Sequence, residues 1–353
     1  MPDAFSVSGD MDRPEVLQDN MSKETSLSIV ICTYERPALL RRLLGDIAAL
    51  DGLTPGRDIV VVVDNAASAS ARAVVAAIRP QMRAEMLYLN VTPANIAAAR
   101  NAGVRATETA FVAFLDDDQS IDIGWLKAVR DGLATYPHDV LFGAVVAESD
   151  DPTATDGATR IFSRRANGPA GSDLYCVEPR RTRELSLGTG NAVFRRASAL
   201  REGDLFRSEF GQSGGEDCEF FYRLELEGCR FGWLPQAVAR EFVPSDRLKP
   251  DYLKHRMFVG GQAYAATRAL NSRRPRLTAL ETRGKAALQI GVLSTLRAAL
   301  KLMGREVPLA LELRLAGVRG KFAFGALKPL YGDAALSPGS ADKSRFALAR
   351  NRD

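Results

Sequence analysis

Ala110-Phe111-Val112-Ala113-Phe114-Leu115-Asp116-Asp117-Asp118 is an apolar run that ends in three consecutive acids. Six apolar residues bounded by polar ones read as a strand buried on both faces, as parallel sheets require. Three carboxylates packed where such a strand emerges repel one another unless a cation, usually a hard one such as Mg²⁺ or Mn²⁺, neutralises them. The competing explanation is a solvated turn that caps the helix beginning near Trp125, because Asp is a good N-cap and favours the positive end of a helix dipole.

Further runs of the same kind lie upstream: Leu27-Ser28-Ile29-Val30-Ile31-Cys32, Asp58-Ile59-Val60-Val61-Val62-Val63, and Met86 to Leu89. Between the first two, Pro37 suits a first helical position, and Leu40, Leu43, Leu44 and Ile47 share one helix face. A helical stretch from Pro93 to Thr107 precedes the run at Ala110. This βαβαβαβ alternation predicts an α/β fold with a doubly wound, mostly parallel sheet.

Such sheets bind ligands at the carboxyl ends of their strands. Thr33, Tyr34 and Arg36 follow the first strand, Asp64 and Asn65 the second, and Asp116 to Asp118 the fourth. No Gly-x-Gly-x-x-Gly follows the first strand and no Gly-Lys-Ser/Thr loop occurs, so nicotinamide, flavin and phosphate-loop fingerprints are missing. Gly188-Thr189-Gly190-Asn191 is only superficially a phosphate loop, since it precedes an apolar segment rather than closing a first βα turn.

At 353 residues, with 46% hydrophobic and 25% charged, the chain fits one large domain plus appendages with a real core. Cys32, Cys176, Cys218 and Cys229 form no Cys-x-x-Cys pair, which suits structural thiols in a reducing cytoplasm. Met1 to Ser26 has no secretory pattern and reads as a polar tail. No window holds the eighteen apolar residues of a membrane span.

The ordered motifs carry a resemblance. Leu27 to Pro37, Val63-Asp64-Asn65-Ala66-Ala67-Ser68, Asn95 with Ala99-Arg100-Asn101-Ala102-Gly103, Phe114 to Asp118, Gly190-Asn191-Ala192-Val193-Phe194-Arg195-Arg196 and Gly215-Glu216-Asp217 together resemble glycosyltransferase family 2 over roughly Leu27 to Tyr264. The resemblance implies the GT-A fold over 27–270, with a nucleotide-binding half at 27–118 and an acceptor half at 119–270.

By that resemblance Asp116 and Asp118 are the outer carboxylates of an Asp-x-Asp motif, Asp116 near the ribose and Asp118 on Mn²⁺ or Mg²⁺, with Asp117 tuning either. Asp64 corresponds to an acceptor for the uracil ring, although an Asx turn explains it equally. Thr33, Tyr34, Arg36 and Arg100 would surround the base and diphosphate. Glu35 stands where the family typically has Asn. Asp217 resembles the family's catalytic base, which takes the proton of an acceptor hydroxyl. The bland alternative makes Glu216 and Asp217 dipole partners at the start of a helix over Asp217 to Glu227. Weaker candidates at the acceptor or diphosphate are Gly190, Asn191 and Glu216, together with His255 and Arg256, a basic pair that could close over the diphosphate or, for His255, approach the metal, although most lone histidines on such a helix are surface or packing residues. The Gln-x-x-Arg-Trp motif of processive synthases is absent, because the only tryptophans are Trp125 and Trp233.

Eight Lys or Arg against Glu306 and Glu312 from Lys285 to Lys328 give this region a local charge of +6 in a chain of +4. Arg297, Lys301 and Arg305 recur at i, i+4, with apolar residues on other faces. The 271–332 region therefore reads as basic amphipathic helices, which either lie on an anionic membrane surface or cap the catalytic domain. Residues 333–353 read as a disordered tail. The combined expectation is an inverting, metal-dependent transferase of the bacterial cell-envelope or exopolysaccharide type, cytoplasmic or peripheral on the inner membrane. It would use a nucleotide sugar, a UDP-sugar by resemblance, and a lipid-linked or glycan acceptor, with no nucleic acid partner. Asp246-Arg247-Leu248 and Gly260-Gly261-Gln262 resemble succinoglycan-type glucosyltransferases. A catalytically silent sugar-nucleotide-binding subunit is the alternative, against which Asp116, Asp118 and Asp217 all being present argues.

Overall fold

The computed structural model describes residues 25–149, 151, 156–182, 187–201, 203 and 205–330. The expected tails at 1–26 and 333–353 lie outside these residues, except for Thr25 and Ser26. Among the described residues one sheet contains β1 (Leu27–Thr33), β2 (Ile59–Asp64), β3 (Glu85–Asn90), β4 (Phe111–Asp116), β5 (Gln119–Ile121), β6 (Val140–Glu148), β7 (Asp173–Leu174), β8 (Ala192–Arg195) and β9 (Phe231–Phe242). Their spatial order is β3-β2-β1-β4-β8-β6-β9-β5, with β7 also on β9.

The first four strands pair in parallel, as the alternation predicted. β8 then runs antiparallel to both β4 and β6, while β6 and β9 are parallel. Helices α1 (Pro37–Ala48), α2 (Arg72–Ile78), α3 (Ile96–Arg105) and α4 (Trp125–Thr135) connect or flank these strands.

Alternate residues of one strand feed opposite layers, because successive strand side chains point to opposite faces. Ile29, Ile31, Val60 and Val62 join α1 in one core, whereas Val30, Val61 and Val63 join α3 and the phenylalanines Phe220 and Phe221 in the other. Both faces are covered, so the strands carry no polar alternation. Leu40, Leu43, Leu44 and Ile47 are the buried face of α1, and cutting any one back to Ala would cost about 2–5 kcal/mol. α3 sits directly on the sheet: a Cβ at Gly103 would collide with Val30.

The C-terminal part is helical: α5 (Glu216–Leu226), α6 (Pro250–Leu270), α7 (Pro275–Leu302) and α8 (Leu309–Phe322). α6 and α8 cross at bare backbone, since a Cβ at Gly261 would strike Gly317 O and one at Gly320 would strike Phe258 O. The basic helix expected from Lys285 begins ten residues earlier, at Pro275. It stops where Gly304 takes a left-handed φ of 66°, a common helix terminator because glycine has no Cβ penalty there. Ala286 and Leu293 of α7 pack on Leu315 and Val318 of α8. No described helix is long and apolar enough to cross a membrane.

Candidate active site

The three aspartates form the connection between the end of β4 and the start of β5. They do not cap α4, whose N-cap is Gly124 and which has no side-chain cap. Thr33 Oγ1 donates to Asp117 Oδ2 at 2.8 Å. Arg36 Nη1 donates to Asp117 Oδ1 and to Asp118 Oδ2, each at 3.0 Å. Arg247 Nη1 lies 3.5 Å from the same Asp118 oxygen. Thr33, Arg36, Asp117 and Asp118 thus come together, and Arg36 is committed to the acids and not held apart for a diphosphate.

Asp116 differs from its neighbours. Its side chain is 43% exposed, against 6% and 7% for Asp117 and Asp118, so it is the member of the triplet most open to a ligand. Surrounding protein raises its carboxyl to about 6; Arg100 opposes the rise, and the charges of Asp118, Asp217 and Asp117 add to it. The backbone of Gly190 presses against it so closely that a Cβ there would collide with Asp116 Oδ2.

Arg100, on α3, is buried and gathers the remaining acids. Its Nη1 donates to Glu216 Oε1 at 2.5 Å and to Asp217 Oδ1 at 2.8 Å, and its Nη2 lies 3.8 Å from Asp116 Oδ1. Burial works against the charge of this guanidinium, but Asp217, Glu216 and Asp116 outweigh it and hold the group protonated. Glu216 is itself buried, and burial with the charge of Asp217 pushes its carboxyl up to about 7. Asp217 is oriented further by Thr189, whose backbone N–H donates to Oδ2 at 3.1 Å and whose hydroxyl donates to Oδ1 at 3.2 Å. Asp217 keeps its side chain 21% exposed, while that of Glu216 is only 2% exposed, so only Asp217 of the pair meets the cleft.

Several candidates take a structural place. Asp64 is 0% exposed. Its Oδ1 accepts from Ala66 N in an Asx turn, and its Oδ2 accepts from Ala71 N and Tyr88 Oη. A base contact at Asp64 would have to displace one of these donors. Asn191 adopts a left-handed φ of 56°, and its buried side chain donates to Ala144 O and Ala237 O while accepting from Trp125 Nε1. It fixes the 188–191 loop and does not face the cleft. His255 is exposed, with Nε2 3.1 Å from Pro329 O. The structure ties it to the C-terminal segment and not to the aspartates, because its turn of α6 faces that segment. Arg256 stacks over Phe162 at 4.8 Å and lends positive charge to Glu241. Tyr34 is half-buried.

Besides Arg247, three contributors escaped the sequence reading. Glu241 is brought beside the triplet by the β5–β9 register, in which it faces Gln119. Burial and the charges of Asp118 and Asp116 push its carboxyl up to about 8. Arg164 is buried and donates through Nη2 to Gly188 O and Gly190 O, and through Nη1 to Asn191 O, holding the loop against Asp116. Thr189 is the third. Thr189 sits in the glycine-bounded stretch Gly188-Thr189-Gly190-Asn191, but no local pattern marks Glu241 or Arg164, which only long-range pairing places.

Among the described residues no group of three or more His, Cys, Asp or Glu side chains is disposed to enclose a metal ion. Donor chemistry nevertheless fits a hard divalent cation held with a substrate. Asp116 and Asp118 supply carboxylate oxygens, their repulsion is already expressed in the raised carboxyls of Asp116 and Glu241, and Mg²⁺-type sites commonly use one or two carboxylates completed by phosphate oxygens.

The family model for glycosyl transferase family 2 matches residues 28–202. Over 247 residues the chain is 33% identical to the succinoglycan biosynthesis protein ExoM of Rhizobium meliloti (strain 1021), covering 69% of this chain and 76% of that protein. The chain belongs to glycosyltransferase family 2. This family 2 chain is also 37% identical over 233 residues to validoxylamine A glucosyltransferase of Streptomyces hygroscopicus subsp. limoneus, covering 61% of this chain but only 50% of that protein. Among solved structures it resembles the mannosyltransferase PcManGT from Pyrobaculum calidifontis in complex with GDP-Man and Mn²⁺, with a TM-score of 0.52 and 16% identity over 84% of this chain and 85% of that one. S. aureus TarS 1–349 in complex with UDP-GlcNAc gives a TM-score of 0.50 and 17% identity over 72% and 69%. At these identities the likeness shows the GT-A fold.

Proposed function

We propose that the chain is an inverting glycosyltransferase that moves a hexosyl group from a nucleoside diphosphate sugar to a hydroxyl of a lipid-linked or glycan acceptor in exopolysaccharide or cell-envelope assembly. One observation carries the reading: Arg100 brings Asp217, the candidate base, and Asp116, of the Asp-x-Asp motif, onto one guanidinium at the carboxyl end of the sheet. A base close to a diphosphate-side carboxylate is what a single displacement needs.

In this mechanism Asp217 takes the acceptor proton as the hydroxyl attacks the anomeric carbon from the face opposite the leaving diphosphate. Thr189 and Arg100 hold its carboxylate in one orientation, so little reorganisation accompanies attack. Asp116 and Asp118 would hold Mn²⁺ or Mg²⁺ with the nucleotide, and that ion when bound offsets the charge that develops on the diphosphate. Arg36 and Arg247 screen the acids from one another. Arg164 keeps the Gly190 backbone against Asp116, which limits where the donor can lie.

The name of the ExoM relative supports a role in polysaccharide assembly, and the UDP-GlcNAc and GDP-Man of the structural neighbours support a nucleotide sugar donor. The test is a panel of UDP- and GDP-sugars incubated with the protein, with and without Mn²⁺ and with a chelator, followed by nucleoside diphosphate release. One donor should be turned over, the turnover should vanish with chelator, and proton NMR of a glycosylated acceptor should show the inverted anomer. Failure of every donor to bind or react would overturn the proposal.

A further inference from the structure

The inner side of α7 is accounted for: Thr282, Ala286 and Leu293 are buried, the last two against α8. Its outer side is apolar and open. Leu280, Leu288, Val292 and Leu302 are 68%, 72%, 62% and 89% exposed, and Leu277 and Leu296 are about half exposed on the same side. Their positions, 277, 280, 288, 292 and 296, follow helical spacing, so they form one stripe and not scattered single residues. Between Ala286 and Leu300 the sole charged residue is Arg297. It turns inward, where its Nε donates to Glu312 Oε1 of α8 at 2.6 Å. Four turns of solvent-facing helix therefore carry no charge, and nothing among the described residues covers them.

Charge surrounds this stripe. Residues 273–328 contain twelve Lys or Arg and three Glu. Arg273, Arg274 and Arg276 stand at the start of α7 and Lys301 and Arg305 at its end, all exposed, while the exposed Glu281 and Lys285 lie on the stripe's own side in the turns before Leu288. Isolated exposed leucines need no explanation, but a contiguous apolar patch rimmed by charge marks an interaction site. We infer that α7 lies in the plane of an anionic lipid bilayer, with its Leu288-Val292-Leu296 stripe among the acyl chains and its basic flanks on the headgroups.

The sign of the charge selects this occupant. A second copy of the chain would bring two strongly positive rims together, which electrostatic complementarity disfavours, whereas an anionic surface attracts them. The helix, at 28 residues and about 1.5 Å per residue, has the length of known in-plane helices, and it is not apolar enough to span. Long Lys and Arg stems reach outward from such a position while their heads stay in water. The inference does not depend on the proposed reaction.

Flotation of the full chain with vesicles tests it, with no nucleotide sugar present, so its failure is separable from failure of the transferase reading. The protein should float with vesicles of equal phosphatidylcholine and phosphatidylglycerol and not with phosphatidylcholine alone. Leu288→Glu/Val292→Glu changes only exposed side chains, so its thermal unfolding should match the parent while its partitioning falls by roughly tenfold or more. Lys285→Ala/Arg305→Ala should weaken partitioning and flatten its salt dependence. Absence of binding by the parent chain, or equal binding by the Leu288→Glu/Val292→Glu chain, overturns the inference. So does sedimentation velocity showing that this pair of substitutions converts a dimer to a monomer, which would make the stripe an interface between copies.

Discussion

Arg100 Nη1 stands 2.8 Å from Asp217 Oδ1, and this contact joins α3 to the first turn of α5. The same nitrogen holds the buried Glu216. One guanidinium therefore ties α3 to α5 and orients the Asp217 carboxylate.

Replacing Arg100 by Ala would leave Glu216 buried without its cation, a change that typically costs about 3–5 kcal/mol. Arg100→Lys should recover only part of that, because an ammonium cannot fork between two carboxylates and Asp116. Urea unfolding of the two variants checks the ordering. An Arg100→Ala chain as stable as the parent would show that the cluster is not what ties α3 to α5.

Asp217→Asn keeps the size of the side chain and can still accept the Thr189 N–H on its one oxygen, but it turns an amide NH2 toward Arg100 and removes the proton acceptor. Transfer should fall by roughly 10²–10⁴-fold with nucleotide affinity nearly unchanged. Steady-state rates beside a nucleotide titration separate the two effects. Near-normal turnover would leave Asp217 as a dipole partner of α5 only.

Gly190→Ala places a methyl group where Asp116 Oδ2 now lies. Either the 188–191 loop or Asp116 must shift, at a cost of about 1–3 kcal/mol, and cation-dependent nucleotide binding should weaken. Gly291→Ala, on α7 with open space around its Cβ position, is the control and should stabilise by about 0.5–1 kcal/mol. Calorimetric titration of both variants with UDP and Mn²⁺ decides whether the close approach matters to binding.

Asp118→Ala should abolish the effect of Mn²⁺ on nucleoside diphosphate affinity while leaving the protein folded. Unchanged, metal-dependent affinity by calorimetry would sink the assignment of the outer aspartates.

The raised carboxyl of Asp116 sets a pH dependence. At about 6 in the folded chain against an ordinary value of about 3.9, the folded form holds more protons than the unfolded one between these limits. Stability therefore declines as pH rises through that window. A cation that replaces the proton should restore it, and cation-dependent nucleotide binding should weaken as pH falls through about 6. Titrations at pH 6 in two buffers of different ionisation enthalpy should reveal proton release on binding. No release would contradict the shift.

The parallel half was legible in the sequence because its determinants are local. Ile29 to Ile31 and Val60 to Val63 must be apolar on both sides when helices cover both faces, and Pro37 and Gly103 mark a helix start and a close helix–sheet contact. The acids at the strand end, and the Gly215-Glu216-Asp217 run, were visible for the same reason. What only the tertiary structure decided is which polar groups turn inward and which far-off residues join them. Asp64 and Asn191 looked like ligand contacts, yet Asp64 is taken by Ala66 N, Ala71 N and Tyr88 Oη, and Asn191 by Ala144 O, Ala237 O and Trp125 Nε1, most of them partners that only the folded chain brings near. Glu241 reaches the aspartates only through the pairing of β5 with β9, and Arg164 reaches Gly190 only because the 188–191 loop folds back over β6. Helical spacing showed α7 to be apolar on more than one face, but only its packing on α8 decided which face is buried and which is left open. Burial is a property of neighbours, and those neighbours are set by the sheet order rather than by position along the chain.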